Sequence, residues 1–364
     1  MKIIDYILSF SFVLLACACE RTIDFNPPEE ATSDVVINAV AVADVSFSVY
    51  LNRAYPVTNS PSMQHMDFGS SLRINNDSYS FDYQHDNYRK ETAITNAQVQ
   101  VVVNGKATYD MELNEKNLRY TSAYVPHVGD RIKVKAITEE TELYAEIVVP
   151  EKPKIEISSY EVIPENPYKE LNGMSFGIDT IMRLTCKIHD SDGVNYYRLR
   201  VRSERDGHSA AAINTNDFIS WIDTHYAMQD IFFSTDELFI DNRLTTNFGG
   251  WQAGFSNVFD NKLMSGRDYS FVVESPKQRN TWPSYGRITS ETEISDKPLL
   301  PARVMVELQA LSPELYRYLK SVELYRITVS DDYAEPIQIY SNVQNGWGIL
   351  GALSYDRHFV EYGE

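Results

Sequence analysis

Apolar residues at every second position, in short runs broken by turn signals, constrain this chain more than any other feature. Val35, Ile37 and Ala39, followed by Val42, form one such run. Val45, Phe47, Val49 and Leu51 form a second, and Ala97, Val99, Val101 and Val103 a third. Side chains alternate faces along a strand, so this pattern predicts half-buried β-strands. Asn104-Gly105 closes the third run and predicts a hairpin, because a type I′ turn needs positive φ at both central positions. Strands are expected again at about 119–124, 131–136 and 144–149, a spacing typical of a β-sandwich. Pro150-Glu151-Lys152-Pro153 then marks the best boundary. Beyond it, strands are expected at about 154–162, 181–188, 195–203, 268–274 and 302–310. One helix stands out at about 313–326. Ser312 is its N-cap, Pro313 and Glu314 fill the first turn, and Leu315, Tyr318, Leu319 and Val322 recur at helical spacing. That register places the pairs Glu314–Tyr318 and Lys320–Glu323 on its outer surface. With 364 residues, the expected fold is mainly β: two β-sandwich-like (Ig-like) domains, 34–150 and 151–364, the second carrying the helix.

The N-terminus reads as a targeting signal. Lys2 precedes an apolar stretch over residues 7–18, too short to cross a bilayer as a helix. Residues 1–18 are therefore expected to be a lipoprotein signal peptide, and residues 19–33 a polar tether that Pro27 and Pro28 keep out of helix. Leu14-Leu15-Ala16-Cys17 has the leucine and small residue a bacterial lipobox needs, while Cys19 is followed directly by the polar tether. Either thiol could take the lipid, which anchors by burying methylenes. The third cysteine, Cys186, lies in a strand pattern, where a lone thiol acts as a small hydrophobe. Residues 57–93 break the alternation with a long polar loop.

Thirty-three Lys and Arg against 51 Asp and Glu give a net charge of -18, which excludes a nucleic-acid binder and electrostatic docking on an anionic lipid surface. His189-Asp190-Ser191-Asp192-Gly193-Val194-Asn195 begins like a calcium loop, but Gly193 comes too early for an EF-hand, and a turn is the better reading. Met63, His65 and Asp67, with His85 and Asp86, read as solvated loop residues, since no third ligand sits at motif spacing. No metal or cofactor is expected. The chain has 24 Tyr and 4 Trp. Most tyrosines suit strands, whereas Trp221, Tyr226, Phe232, Phe233 and Trp251 lie outside clear strands and are the candidates for an interface or ligand contact. No nucleophile elbow, zinc-protease helix, P-loop, dinucleotide fingerprint or CxxC pair occurs, so no catalytic residue is assigned and an enzyme is not expected.

Several segments together resemble a known family. They are Cys19-Glu20-Arg21-Thr22-Ile23-Asp24-Phe25, Asp192-Gly193-Val194-Asn195-Tyr196-Tyr197-Arg198-Leu199, and Phe255-Ser256-Asn257-Val258-Phe259-Asp260 followed by Gly266-Arg267-Asp268-Tyr269. The most specific is C-terminal: Ser341-Asn342-Val343, then Gly346-Trp347-Gly348-Ile349-Leu350-Gly351-Ala352. There Asn345 stands where a glycine is common and Leu350 where Phe is common. The glycines suit positions of positive φ or close backbone approach. These segments are similar to the domain of unknown function (DUF) 4249 family, lipoproteins of Bacteroidota. The resemblance implies an outer-membrane lipoprotein, often encoded beside TonB-dependent receptors, with Cys19 in the lipidated place and no known catalytic residue. The function expected is a lipid-anchored binding or accessory protein that partners such a receptor in nutrient uptake. A structural or adhesive surface lipoprotein is the alternative, and a surface hydrolase ranks third. The ligand and the membrane face are left open.

Overall fold

The computed structural model describes residues 34–54, 92–163, 181–204, 232–244, 254–276, 303–328 and 337–361. The described chain is mainly β, with one α-helix near the C-terminus. The first set of strands is β1 (Val35–Val42), β2 (Ser48–Arg53), β3 (Gln98–Val103), β4 (Ala107–Asn114), β5 (Arg119–Thr121), β6 (Arg131–Ile137) and β7 (Glu142–Val148). After them come β8 (Ile155–Ile163), β9 (Ile181–His189), β10 (Tyr196–Glu204), β11 (Val258–Asp260), β12 (Asp268–Pro276) and β13 (Arg303–Leu311). Helix α1 (Pro313–Thr328) and the long strand β14 (Trp347–Glu361) close the chain.

The strands are hydrogen-bonded in two sheets. One runs β11-β10-β13-β14-β1-β2-β5-β4-β3-β6-β7, and the other is β12-β9-β8. Val35, Ile37, Ala39, Val49 and Leu51 share a core with Val99, Val101, Ile132, Val134, Leu143 and Ala145. The long order must therefore curl back on itself at the three-residue β5, so that β1 and β2 face β3, β6 and β7. A second core joins Met182, Leu184, Cys186 and Ile188 of β9 to Leu199 and Val201 of β10 and to Val304, Val306 and Leu308 of β13. A third, small cluster of Val42, Val258, Leu311, Leu315 and Leu353 lies under α1.

Local chemistry explains the elements. Asn104 and Gly105 have φ of 53° and 66°, and the Lys106 N–H donates to the Val103 carbonyl at 3.0 Å, which is the expected I′ hairpin turn. The Ser312 hydroxyl accepts from the Leu315 N–H at 3.3 Å, the N-cap bond that starts α1. Val45 belongs to a turn rather than to β2, because Asp44 takes a φ of 64° and the Val45 N–H closes on the Val42 carbonyl at 3.2 Å.

Strand β14 was not among the expected strands. It pairs in parallel with β1 from Val36↔Trp347 to Val42↔Leu353, then antiparallel with β13 from Leu311↔Leu353 to Arg303↔Glu361. Residues before and after position 150 thus share one hydrogen-bonded sheet. The proline-bounded segment 150–153 is itself fastened to β14, where the Ser354 hydroxyl donates to the Glu151 carbonyl at 2.7 Å. Glycines make the parallel contact feasible. Gly348 has a φ of +105°, and a Cβ there would collide with the Ile37 carbonyl oxygen. A Cβ on Gly346 would come within 2.6 Å of the Val35 carbonyl oxygen. Among the described residues, no helix is long and apolar enough to cross a membrane.

Candidate functional site

The turn at 190–195 is built around one carboxylate. Asp190 Oδ1 accepts from the Asn195 amide at 3.0 Å and the Tyr197 hydroxyl at 2.8 Å. Its Oδ2 accepts from the Asn261 amide at 2.8 Å and the Gly266 N–H at 2.7 Å. A carboxylate offers about four lone-pair sites, and all four here face protein donors. Asn195 and Asn261 also bond reciprocally, at 3.1 Å in each direction. This is turn chemistry that locks the start of β10 to the segment after β11. Burial and the Asp190 hydrogen bond raise the Tyr197 phenol well above its ordinary range.

A second polar cluster lies under α1, and it corrects the helix register read from the sequence. Lys320 is only 6% exposed, so it faces inward. Its Nζ lies 2.7 Å from Asp241 Oδ2, 2.9 Å from Glu323 Oε2, 2.9 Å from the Ser256 hydroxyl and 3.2 Å from the Val258 carbonyl. The reason is polar demand. Ser256, Val258 and Asp241 present acceptors beneath the helix, and the long Lys side chain reaches them while Leu315 fills the apolar cluster one turn earlier. Arg243 completes the group, with Nη2 2.7 Å from Asp241 Oδ2 and Nε 2.9 Å from Oδ1. Burial pushes the Asp241 carboxyl up, but hydrogen bonds from Arg243 and Lys320 outweigh it and hold the group well below the usual carboxylate range. At Glu323 burial wins, and its pKa is raised despite the Lys320 and Ser256 contacts.

A serine hydroxyl beside a lysine amine is the arrangement of some nucleophile–base pairs. Here Ser256 is 3% exposed and Lys320 is engaged by two carboxylates, so neither is offered to a substrate. The cluster fastens α1 to the sheet. A third polar group lies on the face of β10, β13 and β14 opposite the second core. Arg200, Glu307 and Arg357 stand in one cross-strand row. Glu307, 1% exposed, accepts from Arg357 Nε at 2.6 Å and from the Gln309 amide at 2.7 Å, and Arg200 lies 3.6 Å away.

Phe232 and Phe233, expected at an interface or ligand contact, are 4% and 5% exposed. Phe232 packs edge-on against Phe239 and Phe255, at 5.6 and 5.1 Å between ring centroids. Phe233 exchanges backbone hydrogen bonds with Glu274. Both are buried among the described residues, and Phe232 packs within an aromatic cluster of the second core. Trp221, Tyr226 and Trp251 lie outside the described residues, as do Cys17, Cys19, Met63, His65, Asp67, His85 and Asp86. Cys186 is fully buried in β9, and burial pushes its thiol up to about 12, the state of an unreactive cysteine. Sequence reasoning missed Asp241, Arg243 and Ser256. Asp241 and Arg243 sit at single 3-10 turns, Glu237–Phe239 and Asn242–Leu244, which leave no periodic signature.

The family described as Domain of unknown function (DUF4249) matches residues 20–358. The chain belongs to the DUF4249 family. No curated protein and no solved structure matches it. Segment 19–25 lies outside the described residues, and the other segments that carried the DUF4249 resemblance have physical roles. Asn195, Tyr197 and Gly266 hold Asp190, Ser256 anchors Lys320 and Glu323, and Asn342 bonds both the N–H and the carbonyl of Leu350 at 2.9 and 2.8 Å. Gly346 and Gly348 let β14 lie against β1.

Proposed function

We propose that this DUF4249 protein is a lipid-anchored outer-membrane accessory protein that partners a TonB-dependent receptor in nutrient uptake. The observation that carries the reading is the short apolar stretch ending in Leu14-Leu15-Ala16-Cys17-Ala18-Cys19, followed by a polar, proline-containing segment before β1 begins at Val35. The Bacteroidota setting and the receptor come from the family resemblance. A non-catalytic role is supported by the burial of Cys186, Ser256 and Lys320, which takes three groups with nucleophile or base chemistry out of contact with substrate. In this reading Cys19 carries the lipid.

Growth with a clickable fatty acid tests the anchor. The native chain should be labelled and sediment with membranes, and Cys19→Ser should abolish both. Loss of label in Cys17→Ser instead would move the anchor to Cys17. An unlabelled native chain in the soluble fraction would overturn the reading.

A further inference from the structure

Strand β1 is held in a geometry suited to tension. It lies between β14, with seven parallel pairs from Val36↔Trp347 to Val42↔Leu353, and β2, with four antiparallel pairs from Val35↔Arg53 to Asn38↔Tyr50. A pull on the N-terminal end of β1, directed along the strand, is nearly perpendicular to these hydrogen bonds. All of them must be strained together, rather than opened one after another from an end. The inward side chains Val35, Ile37, Ala39 and Ala41 have no exposed surface, so sliding β1 would also tear its side chains out of the first core. Gly348 of β14 and Gly346 just before it let the two backbones come close enough to interlock, with Gly346 against the Val35 carbonyl and Gly348 against that of Ile37.

The entry point is fastened as well. The Ala54 N–H donates to the Asp34 carbonyl at 2.7 Å. Arg53 lies 3.1 Å from the Asp34 carboxylate and 2.7 Å from that of Glu140. Exposed ion pairs contribute little singly, so the ladder rather than this latch supplies the resistance. Force taken up by β14 passes onward, because its second half makes nine pairs with β13.

We propose that β1, clasped between β14 and β2, is a mechanical clamp that resists tension arriving along the N-terminal segment. This rests on the anchored reading, in which that segment joins the membrane anchor to the folded body, so that any tension between the two enters at β1. The chemistry is the strand ladder and its keyed side chains.

Single-molecule pulling tests it on the full chain carrying Cys17→Ser and Cys19→Ser, with handles attached through introduced cysteines. Ser33→Cys with Glu361→Cys loads β1 against β14 in shear. Ser33→Cys with Gln344→Cys pulls the two strands apart from the same end. Gln344 and Glu361 are exposed and Cys186 is buried, so these two handle sites disturb no core contact and the native thiol stays out of reach. The first pair should rupture at several-fold higher force than the second at the same pulling speed. Equal forces, or a lower force in shear, would overturn the clamp. No lipid is present in this experiment, so that failure would leave the anchor standing. A missing fatty-acid label would remove the anchor and leave the force ratio unchanged.

Discussion

Asp190 gathers four donors from two separate segments, and two of those donors, Tyr197 and Asn261, belong to residues that are 4% and 5% exposed. Removing the acceptor strips the Tyr197 hydroxyl of its bond and leaves the Asn261 amide with only the Gly193 carbonyl, which costs more than the bonds themselves contributed. Asp190→Ala should lower stability by about 3 kcal/mol in urea unfolding, with an unchanged m-value. Lys320→Met should cost a similar amount, about 3 kcal/mol, because it leaves Asp241 with Arg243 alone and strips Glu323 of its cation. The two carboxylates have opposite pH signatures. Asp241 titrates below its ordinary 3.8 in the folded chain, so the unfolded state binds more protons there. Its contribution is present above about pH 4 and is lost as pH falls below that. Glu323 titrates above its ordinary 4.5, so its contribution is present below that pH and is lost as pH rises through the folded value. Asp241→Asn should therefore flatten the acid side of the stability curve, and Glu323→Gln the side above pH 4.5. Swapped effects would mean that the partners have been misassigned. At this scale the sequence showed Asp190 as a turn residue and Cys186 as a buried thiol. It did not show the Lys320 cluster, whose members are spread from Asp241 to Glu323 and meet only through folding.

Helix α1 and the strands with one solvated face were legible because each leaves a local signature: alternation, a hairpin dipeptide, an N-cap. Ser312 also accepts from the Ala352 N–H at 3.3 Å, so Ser312→Ala should cost about 1–2 kcal/mol, measured as a shift in thermal midpoint. Strand β14 escaped for a physical reason. From Ile349 to Ser354 every residue is buried, so no polar face alternates with an apolar one. Its glycines were legible as positions of positive φ or close backbone approach, and Gly348 meets both conditions against β1. Gly348→Ala should destabilise by more than about 3 kcal/mol or prevent folding, since it adds a backbone collision to an unfavourable φ. Retention of native stability in that variant would contradict the β1–β14 register. The inward turn of Lys320 was illegible from helical spacing alone, because the acceptors that draw it lie on other elements.

Across the whole molecule, the last described strand pairs with the first, and the Asp190 and Lys320 clusters find their partners within the described fold. That arrangement suits a scaffold presented at the end of an anchor, and the net charge of -18 keeps such a scaffold self-repelling and away from acidic lipid. Family membership was legible through short segments scattered over the chain, and those among the described residues make contacts that close a turn or a backbone junction. The partner was not legible, since its surface leaves no spacing rule in the sequence. The account therefore stands on association at the membrane. A mild-detergent pull-down of the tagged protein from its own membranes, with mass spectrometry of what it retains, tests that directly. Recovery of a TonB-dependent receptor in near-equal amount is the result expected, and recovery of the tagged protein alone, under conditions that preserve a known receptor complex, would contradict it and favour adhesion or envelope structure.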